Sequence, residues 1–349
     1  MSKSLAAVLA LALFLSGAGA GAAEPRTYRY NFQSAYAGPH VLNTQMYLPW
    51  LDELAEKSDN RLILDYFMNG ALVRAEDIVP ALMNGNLDLG GAGPDGRADQ
   101  FIHTLTFMMP YIARDSVQAS ELYWQAYTTV PEVKAELDRV GKILTVWGSD
   151  RSGLFSTKGP ILSPSDLKGK KVLIWNPSQA AQVEAWGATP VPVAALDTLR
   201  ALQRGAGDVF FGPLPTGVAY KLMNAAKDVT ILPASSMLMF NAVSWNVWNE
   251  LPPDLRQLLV DSTGHEASVR SGRLLYDATN KDLETMRRAG ISIHELTPVQ
   301  EGAFRQAERQ MTVDNWRAAL KSGGSADPDA EIRRAYDMAD ATPGATDAR

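Results

Sequence analysis

Residues 91–96 spell Gly-Ala-Gly-Pro-Asp-Gly directly after an apolar segment, which matches the G-x-G-x-x-G pattern of nucleotide-binding loops. In those proteins the glycines open a helix, and the N-terminus of that helix binds a pyrophosphate. Here Pro94 interrupts the pattern, and the Asp95-Gly96 pair that follows it favours a turn. We therefore interpret the segment as a tight loop that faces a cleft, and not as a nucleotide site.

The other catalytic patterns in the chain are equally weak. Ser165-x-x-Lys168 has the spacing of a serine–lysine nucleophile pair, but the neighbouring Asp166 and Gly169 make a turn the better interpretation. The G-x-S-x-G pattern is absent, and none of the four histidines forms an H-E-x-x-H pair: they are His40, His103, His265 and His294. We therefore predict that the protein is not an enzyme and uses no cofactor or metal.

Aromatic and amide side chains gather at or near the ends of apolar segments. Walls of aromatic rings with a few polar groups are typical of small-molecule pockets. The candidates are Gln33, Tyr36, Trp147, Trp175, Asn176, Phe210 and Phe211. The alternative is that part of these rings simply packs in the core.

Short β-rich segments alternate with amphipathic helical segments, which predicts an α/β fold with mostly parallel sheets. Leu42, Met46, Trp50 and Leu54, for example, recur on one face of a helix. Two such runs, before and after about Gly148, predict two α/β lobes. In open sheets of this kind the ligand binds at the carboxyl ends of the strands, so the candidate side chains must meet in the loops there.

The N-terminus has the features of a secretory signal. Lys3 precedes an apolar run, Leu5 to Leu15, and a stretch of small residues then leads to Glu24. We expect residues 1–23 to be a cleaved signal peptide, because the apolar run is too short to span a bilayer of roughly 30 Å. The predicted location of the mature protein is the periplasm.

Composition excludes several classes of protein. The chain contains no cysteine, which excludes disulfides, thiolate catalysis and a lipid anchor on cysteine. Its formal net charge is −6, and the basic face that a nucleic-acid partner requires is not visible in the sequence. We expect a monomer that binds no nucleic acid. Only the tail, 321–349, which is rich in Gly, Ala and Asp, is predicted to be partly flexible.

Several segments, in this order and spacing, resemble the solute-binding proteins of tripartite ATP-independent periplasmic (TRAP) transporters. Leu-Lys-Gly-Lys-Lys-Val at 167–172 is followed by Gly-Ala-Thr-Pro-Val-Pro at 187–192 and Ala-Leu-Gln-Arg-Gly-Ala-Gly-Asp at 201–208. Leu-x-x-Gly-x-Leu-Asp at 82–88 and Trp-x-x-Leu-Pro at 248–252 match the family upstream and downstream. The resemblance covers nearly the whole chain after the signal peptide.

The resemblance implies a two-lobed periplasmic-binding-protein clamshell, in which each lobe is a mixed sheet flanked by helices and a long helix braces both lobes. The first lobe would comprise 24–148 plus about 238–278, and the second 149–237 plus about 279–320. Such a receptor captures a small organic ligand between its lobes and delivers it to the membrane subunits of a TRAP transporter. Closure requires only that the ligand prefers the closed state.

The chain departs from the family at its anion-binding strand. The family's carboxylate-binding arginine lies in that strand, and Leu173 occupies the position here. Leucine cannot bind a carboxylate as the arginine fork does. Farther along, Gly212 replaces the family's usual asparagine and follows Phe210 and Phe211. Asn176, which follows the anion-binding strand, keeps the polar type usual in the family.

The resulting pocket is predicted to be more apolar and less cationic than is usual in the family. Gln33 stands where the family often has a ligand-contacting asparagine. Further candidates for ligand contact, from neighbouring strand ends and loops, are Tyr36, Asp95, Arg97, Arg151, Trp175 and Met239.

Three interpretations of the missing arginine stay open. The ligand presents a neutral or apolar group near Leu173, which the two phenylalanines favour. Alternatively, Arg151 or Arg97 binds a carboxylate from elsewhere in the cleft. The third interpretation is that the assignment of Leu173 is shifted by a residue or two, so that an arginine still reaches the site.

Other functions also stay open. A receptor that signals to a sensor protein has the same sequence features as one that feeds a transporter. A periplasmic enzyme on the same fold would have a cluster of titratable side chains with shifted pKa values in the cleft. A scaffold protein would have a filled interface between its lobes.

We expect the exported protein to begin at Ala23 or Glu24, because cleavage follows the small-residue stretch. Intact-mass spectrometry of protein from the periplasmic fraction measures the start directly. A mass that includes Met1 would contradict the predicted signal peptide.

Overall fold

The structure is a computed structural model that describes residues 26–36, 38–94, 97–175 and 179–345. The predicted signal peptide, 1–23, lies outside the described residues, and so do two of the predicted site residues, Asp95 and Asn176. The strands are β1 (Tyr28–Ser34), β2 (Leu62–Phe67), β3 (Leu89–Ala92), β4 (Lys142–Gly148), β5 (Ser152–Ser156), β6 (Lys171–Ile174), β7 (Thr189–Pro192), β8 (Val209–Pro213), β9 (Asp228–Leu232), β10 (Leu238–Val243) and β11 (Ser292–Glu295).

Helices pack on both sheets that these strands form. They are α1 (Leu48–Lys57), α2 (Ile78–Met83), α3 (Ala98–Thr106), α4 (Ser116–Thr129), α5 (Pro131–Asp138), α6 (Ala180–Ala185), α7 (Thr198–Gln203), α8 (Thr216–Ala219), α9 (Trp245–Glu250), α10 (Pro253–Asp261), α11 (Gly264–Arg288), α12 (Pro298–Ser322) and α13 (Pro328–Ala341). The predicted α/β architecture with two lobes is confirmed. Among the described helices, none is long and apolar enough to cross a membrane.

The first lobe is built on a five-stranded sheet with the order β2-β1-β3-β10-β4. β10 runs antiparallel to β3 and β4, whereas β1, β2 and β3 are parallel. Consequently the carboxyl ends of β1, β3 and β4 lie at the same edge as the start of β10. Functional side chains are expected at this edge in an open α/β sheet.

The second lobe is built on a six-stranded sheet with the order β11-β9-β5-β8-β6-β7. Here β5 is the antiparallel strand, paired with both β8 and β9. The carboxyl ends of β6, β8 and β9 therefore share an edge with the start of β5. Each lobe thus has one reversed strand, and in each case that strand is joined directly to the other lobe.

The two sheets contain the same local unit. The sequence Ala-Leu-x-x-Gly-x-x-Asp occurs at 81–88 and again at 201–208, where it ends α2 and α7 and leads into β3 and β8. The glycine of each unit is left-handed, with φ of 75° and 69°, which ends the helix without steric cost. Each aspartate accepts a backbone N–H from a neighbouring strand, that of Asn31 at 2.9 Å and that of Lys171 at 3.0 Å.

The predicted long helix that braces both lobes is α11, which is 25 residues long. It packs on α4 and β4 of the first lobe and on α8 and β11 of the second. Its buried Ala267 belongs to the core of the first lobe, and its buried Leu283 and Met286 belong to the core of the second. One rigid helix therefore contributes to both cores.

The C-terminal part of the chain differs from the expectation. The predicted lobe boundaries place α12 entirely in the second lobe, yet Phe304 packs in the second core and Leu320 in the first. The tail was expected to be partly flexible, but α13 occupies much of it and buries Ile332, Ala335 and Ala339 against the first lobe. Ile332, Ala335 and Ala339 recur at helical spacing, which the composition of the tail does not reveal. Apart from these segments, the proposed lobe boundaries stay a prediction.

We predict opposite effects of alanine at two helical glycines. In α11, a Cβ at Gly272 would lie 2.3 Å from the carbonyl oxygen of Ser116 in α4, so Gly272→Ala should lower the free energy of unfolding by about 1–3 kcal/mol. In α12, a Cβ at Gly302 would meet no atom within 4 Å outside its own helix backbone. Gly302→Ala should therefore raise the free energy of unfolding by about 0.5–1 kcal/mol. Denaturant unfolding measures both values. Equal stability of the two variants would show that α11 does not approach α4 this closely.

Candidate functional site

Two short segments connect the sheet edges of the two lobes. Residues 149–151 join β4 to β5, and residues 233–237 join β9 to β10; we call these the crossing segments. They bind each other, since the backbone N–H of Ser149 donates to the Met237 carbonyl at 2.8 Å and the Met237 N–H donates to the Ser149 hydroxyl at 2.8 Å. Because the connections are so short, the two edges lie next to each other.

On the first-lobe side, Tyr36 follows β1 and its ring stacks on the imidazole of His40, with centroids 4.0 Å apart and planes at 7°. Burial lowers the pKa of His40 to about 4, so the imidazole is neutral at neutral pH. Burial also raises the pKa of Tyr36 well above its usual value. The pair is therefore an uncharged aromatic surface at the sheet edge.

Met239 is partly exposed and lies opposite Trp147 across the β10–β4 ladder. Trp147 itself is fully buried in the core of the first lobe, which fits the core-packing alternative for this ring. Gln33 is also fully buried: its amide oxygen accepts the backbone N–H groups of Leu72 and Val73, and its amide nitrogen donates to the Val73 carbonyl at 2.8 Å. The Gln33 side chain thus holds the loop after β2.

Sequence reasoning missed a buried polar network beside this edge. Tyr47 donates to the amide oxygen of Asn241 at 3.3 Å, and the Asn241 amide nitrogen donates to Thr145 at 2.9 Å. Gly91 leaves room for this amide, since a Cβ there would lie 2.6 Å from its oxygen. Burial raises the pKa of Tyr66, another tyrosine next to Tyr47, to about 12. The sequence signal that could have revealed this network is Asn241, an asparagine inside the otherwise apolar strand β10.

On the second-lobe side, Trp175 directly follows β6 and is partly exposed. Its indole N–H donates to the hydroxyl of Thr198 at 2.7 Å. Its ring contacts Phe210 and Tyr220, with centroids 5.0 and 5.1 Å away. The indole is therefore fixed in orientation, with part of its surface free to contact a ligand.

The neighbouring predicted residues lie below this surface. Leu173, Phe210 and Phe211 are fully buried. Phe211 points to the opposite face of the sheet from Phe210 and meets the ring of Trp186 at 5.1 Å, as alternation along a strand requires. Position 212 requires glycine, because a Cβ there would lie 2.3 Å from the Phe210 ring. Leu173 and Phe210 therefore form the core under Trp175, whereas Phe211 packs in the core on the other face of the sheet, and both placements agree with the core-packing alternative.

The two candidate arginines differ in their surroundings. Arg97 is partly exposed and donates to the carbonyl of Glu76 at 3.2 Å. Arg151 lies in a crossing segment, and its side chain is 17% exposed. It donates to the amide oxygen of Asn280 at 2.8 Å, and its guanidinium carbon lies 5.3 Å from the centre of the Tyr276 ring. Its Nε is buried and has no hydrogen-bond partner among the described residues.

The carboxylate beside Arg151 is Asp150, whose Oδ1 is 3.6 Å from the guanidinium Nε. Burial raises the pKa of Asp150, and the positive charge of Arg151 opposes that rise. Oδ1 of Asp150 also accepts the backbone N–H of Ser116 at the start of α4. Arg151 is thus held by contacts from its own segment and from α11.

The patterns with catalytic spacing have structural roles in the fold. Pro164–Leu167 form a 3₁₀ turn, as expected, and the Asp166 carboxylate accepts the backbone N–H of Ser163 at 2.8 Å. The Ser165 hydroxyl lies 2.7 Å from that of Ser163. Across the ranges that the structure describes, no group of three His, Asp or Glu side chains is arranged to hold a metal ion.

The sequence matches the family described as bacterial extracellular solute-binding protein, family 7, over residues 34–317. This chain belongs to that family. A curated relative, the 2,3-diketo-L-gulonate-binding periplasmic protein YiaO of Escherichia coli K12, is 23% identical over 258 residues, which cover 73% of this chain and 77% of the relative.

Solved structures of TRAP solute-binding proteins share the fold. One from Rhodoferax ferrireducens T118, in complex with copurified benzoate, has a TM-score of 0.79 and 17% identity and covers 90% of this chain and 98% of that one. Another, from a marine metagenome and specific for aromatic acid ligands, was crystallised with 3-hydroxybenzoate. Its TM-score is 0.82 at 18% identity, with 91% of this chain and 100% of that one covered.

The expected family, fold and function are therefore confirmed. The protein is a periplasmic receptor that binds a small organic ligand and works with the membrane subunits of a TRAP transporter. The sensor and scaffold alternatives are not favoured.

We predict that His40→Phe flattens the pH dependence of stability in acid. The variant keeps a ring against Tyr36 but removes the titrating group. In the wild type, stability due to neutral His40 is present above about pH 6.5, the ordinary histidine pKa, and is lost as the pH falls through about 4. Melting temperatures measured from pH 7.5 to 4 report the slope. An unchanged slope in the variant would contradict the burial of this imidazole.

Proposed function

We propose that this receptor binds a small organic acid with an aromatic or other apolar body, and that it releases the ligand chemically unchanged. The observation that carries the proposal is Leu173. Its side chain is fully buried beside Gly207, at the strand position where the family resemblance implies an arginine. Without that fixed cation, the affinity must come largely from buried apolar surface, at about 25 cal/mol per Å².

The partly exposed side chains at the two sheet edges support an apolar ligand body. Tyr36 and Met239 belong to the first lobe, and Trp175 belongs to the second. The His40 stack and the Thr198 hydrogen bond fix the orientations of Tyr36 and Trp175, so these two rings lose little side-chain entropy on binding. The aromatic acids bound by the two structural neighbours are consistent with such a surface.

Arg151 is the best partner for the ligand's carboxylate. It lies between the two edges in a crossing segment, and its buried Nε lacks a hydrogen-bond partner within the described part of the chain. Arg97 is a weaker candidate because it already donates to Glu76 and follows β3 on one lobe only. A carboxylate bound by Arg151 would form contacts near both lobes and would favour closure.

The absence of catalysis is part of the proposal. The Ser165 hydroxyl is used in a surface turn with Ser163, and His40 is stacked on Tyr36 with a low pKa. A receptor for transport must return its ligand intact, and these side chains have structural partners in place of reactive ones.

Titration calorimetry on ligand-free protein tests the ligand class. We expect benzoate and 3-hydroxybenzoate to bind at least tenfold more tightly than two- to four-carbon aliphatic acids, because only the rings bury a large apolar surface. Tight binding of the aliphatic acids without binding of the aromatic ones would refute the apolar site. Equal affinity for benzoate and benzamide would instead support a neutral group at the site and reject Arg151 as the carboxylate partner.

The role of Arg151 is tested by Arg151→Met, which keeps an apolar stem. We expect the affinity for benzoate to fall about 10- to 100-fold, equivalent to about 1.5–3 kcal/mol for hydrogen bonds to a charged group, while that for benzamide changes little. Arg273→Met is the matched control, since Arg273 also packs over the Tyr276 ring, at 5.7 Å. Equal losses in the two variants would indicate a general effect on α11.

A further inference from the structure

Three tyrosine side chains lie together at the sheet edge of the first lobe that adjoins the second lobe. Tyr36 follows β1, Tyr66 lies near the end of β2, and Tyr47 ends the short helical turn Asn43–Tyr47 before α1. Tyr47 is a buried member of the first core, and the partly buried Tyr36 and Tyr66 pack against that core. We call these three residues the tyrosine cluster.

Two hydroxyls of the tyrosine cluster have acceptors within the protein. The hydroxyl of Tyr66 donates to that of Ser34 at 2.7 Å and also contacts the amide oxygen of Asn43. The hydroxyl of Tyr47 donates to the amide oxygen of Asn241. Because a phenol has a single proton to donate, the donor capacity of Tyr47 and Tyr66 is used inside the lobe.

The third hydroxyl, that of Tyr36, has no acceptor in the described part of the chain. The hydrogen bonds of Tyr36 are made by its backbone carbonyl, which accepts from the amide nitrogen of Asn43 at 3.4 Å and from the backbone N–H of Asn69 at 2.9 Å. These bonds and the stack on His40 fix the residue in place. Since burial raises the pKa of Tyr36, the hydroxyl keeps its proton at neutral pH and stays a donor.

Trp147 adds a second donor at the same place. Its indole Nε1 is buried and has no hydrogen bond of normal geometry among the described residues, but it interacts with the Tyr36 hydroxyl and opposes the rise in the pKa of Tyr36. An indole N–H only donates, so it approaches the oxygen of Tyr36 and leaves the proton of Tyr36 directed elsewhere. Trp147 pairs with the partly exposed Met239, which places both donors near the sheet edge.

This arrangement offers donors without a matching acceptor. A ligand that displaces water from such donors keeps its affinity only if it supplies an acceptor in return. A purely apolar group placed there would leave the Tyr36 O–H unpaired, which is unfavourable in a site closed to solvent. The phenol and the indole are both uncharged, so a neutral oxygen is a better partner for them than a second ionised group.

We propose that the Tyr36 hydroxyl determines specificity by donating to an oxygen carried on the apolar body of the ligand, apart from its carboxylate. The inference rests on the proposed function and narrows the ligand class to aromatic acids with a carbonyl, ether or hydroxyl oxygen on the ring. Trp147 and Arg151 are four residues apart, up to about 13 Å between Cα atoms in an extended chain. The Tyr36 hydroxyl and Arg151 therefore contact different parts of one ligand.

Titration calorimetry with shape-matched acids tests the donor. The probes are 3-formylbenzoate against 3-vinylbenzoate, and 4-formylbenzoate against 4-vinylbenzoate. The two members of each pair have nearly the same shape, but only the formyl group has an acceptor oxygen. We expect the wild type to bind the formyl member of at least one pair about tenfold more tightly, since the vinyl group leaves the Tyr36 O–H unpaired.

Tyr36→Phe keeps the ring against His40 and removes the O–H group. In this variant we expect the ratio of formyl to vinyl affinities to fall to about one, while the vinyl acid binds about as in the wild type. Tyr66→Phe is the matched control, because it removes a hydroxyl of the same cluster that already has acceptors in the protein. It should keep the wild-type ratio. Each ratio is measured within one variant, so a general loss of affinity cancels.

Three results would overturn the role of Tyr36. They are a ratio near one for both pairs in the wild type, a preference for the formyl acid that persists in Tyr36→Phe, and an equal loss of that preference in Tyr66→Phe. Failure of all four acids to bind is a different result, because it would refute the proposed ligand class and this inference with it.

Discussion

The structure depends on the shortness of the two crossing segments. Residues 149–151 and 233–237 leave so little chain between the sheets that the edges of both lobes must stay adjacent. Each segment leads into or out of the reversed strand of a sheet, which is why β5 and β10 run antiparallel to their neighbours. The adjacent sheet edges, on which the proposed ligand site depends, follow from this connection.

Polar contacts dominate around the crossing segments, whereas apolar contacts dominate within the lobes. Ser152 donates to the Leu232 carbonyl at 2.6 Å, and Asp150 accepts from the start of α4. Directional bonds of this kind can be exchanged with water at modest net cost, whereas an apolar core resists rearrangement. We expect the lobe closure that the family resemblance implies to be limited by α11 and α12, the two helices that enter both cores.

Periodicity predicted the elements with one apolar face, and it failed for elements that are buried on several sides. The helical face of Leu42, Met46, Trp50 and Leu54 is buried as expected. By contrast, α4 is buried around much of its circumference, so its sequence shows no clear stripe and the helix was missed. β5 was missed because Ser-Gly-Leu-Phe-Ser is short and contains glycine. Burial from two sides removes the contrast on which such prediction relies.

Site prediction was limited for a related reason, because side chains on the same face of a strand lie either at its exposed end or in the core below it. Leu173 and Trp175 lie on the same face of β6 and of the residue that follows it. Both pack in the cluster that contains Phe210. Only Trp175 reaches the edge. From the sequence, every aromatic side chain near a strand end was a candidate, and only packing distinguishes the exposed ring from the ones below it.

The packing on this face also explains why leucine is stable at position 173. Gly207 faces it so closely that a Cβ there would lie 2.4 Å from the leucine Cγ, and Leu202 and Phe155 fill the same cluster. An arginine in this cluster would bury a charge without a partner, at a cost of several kcal/mol, unless it extended into the cleft past Trp175. The ring of Trp175, directly after this strand, packs against Phe210 in the same cluster. This packing supports our proposal that the carboxylate partner comes from outside this sheet face.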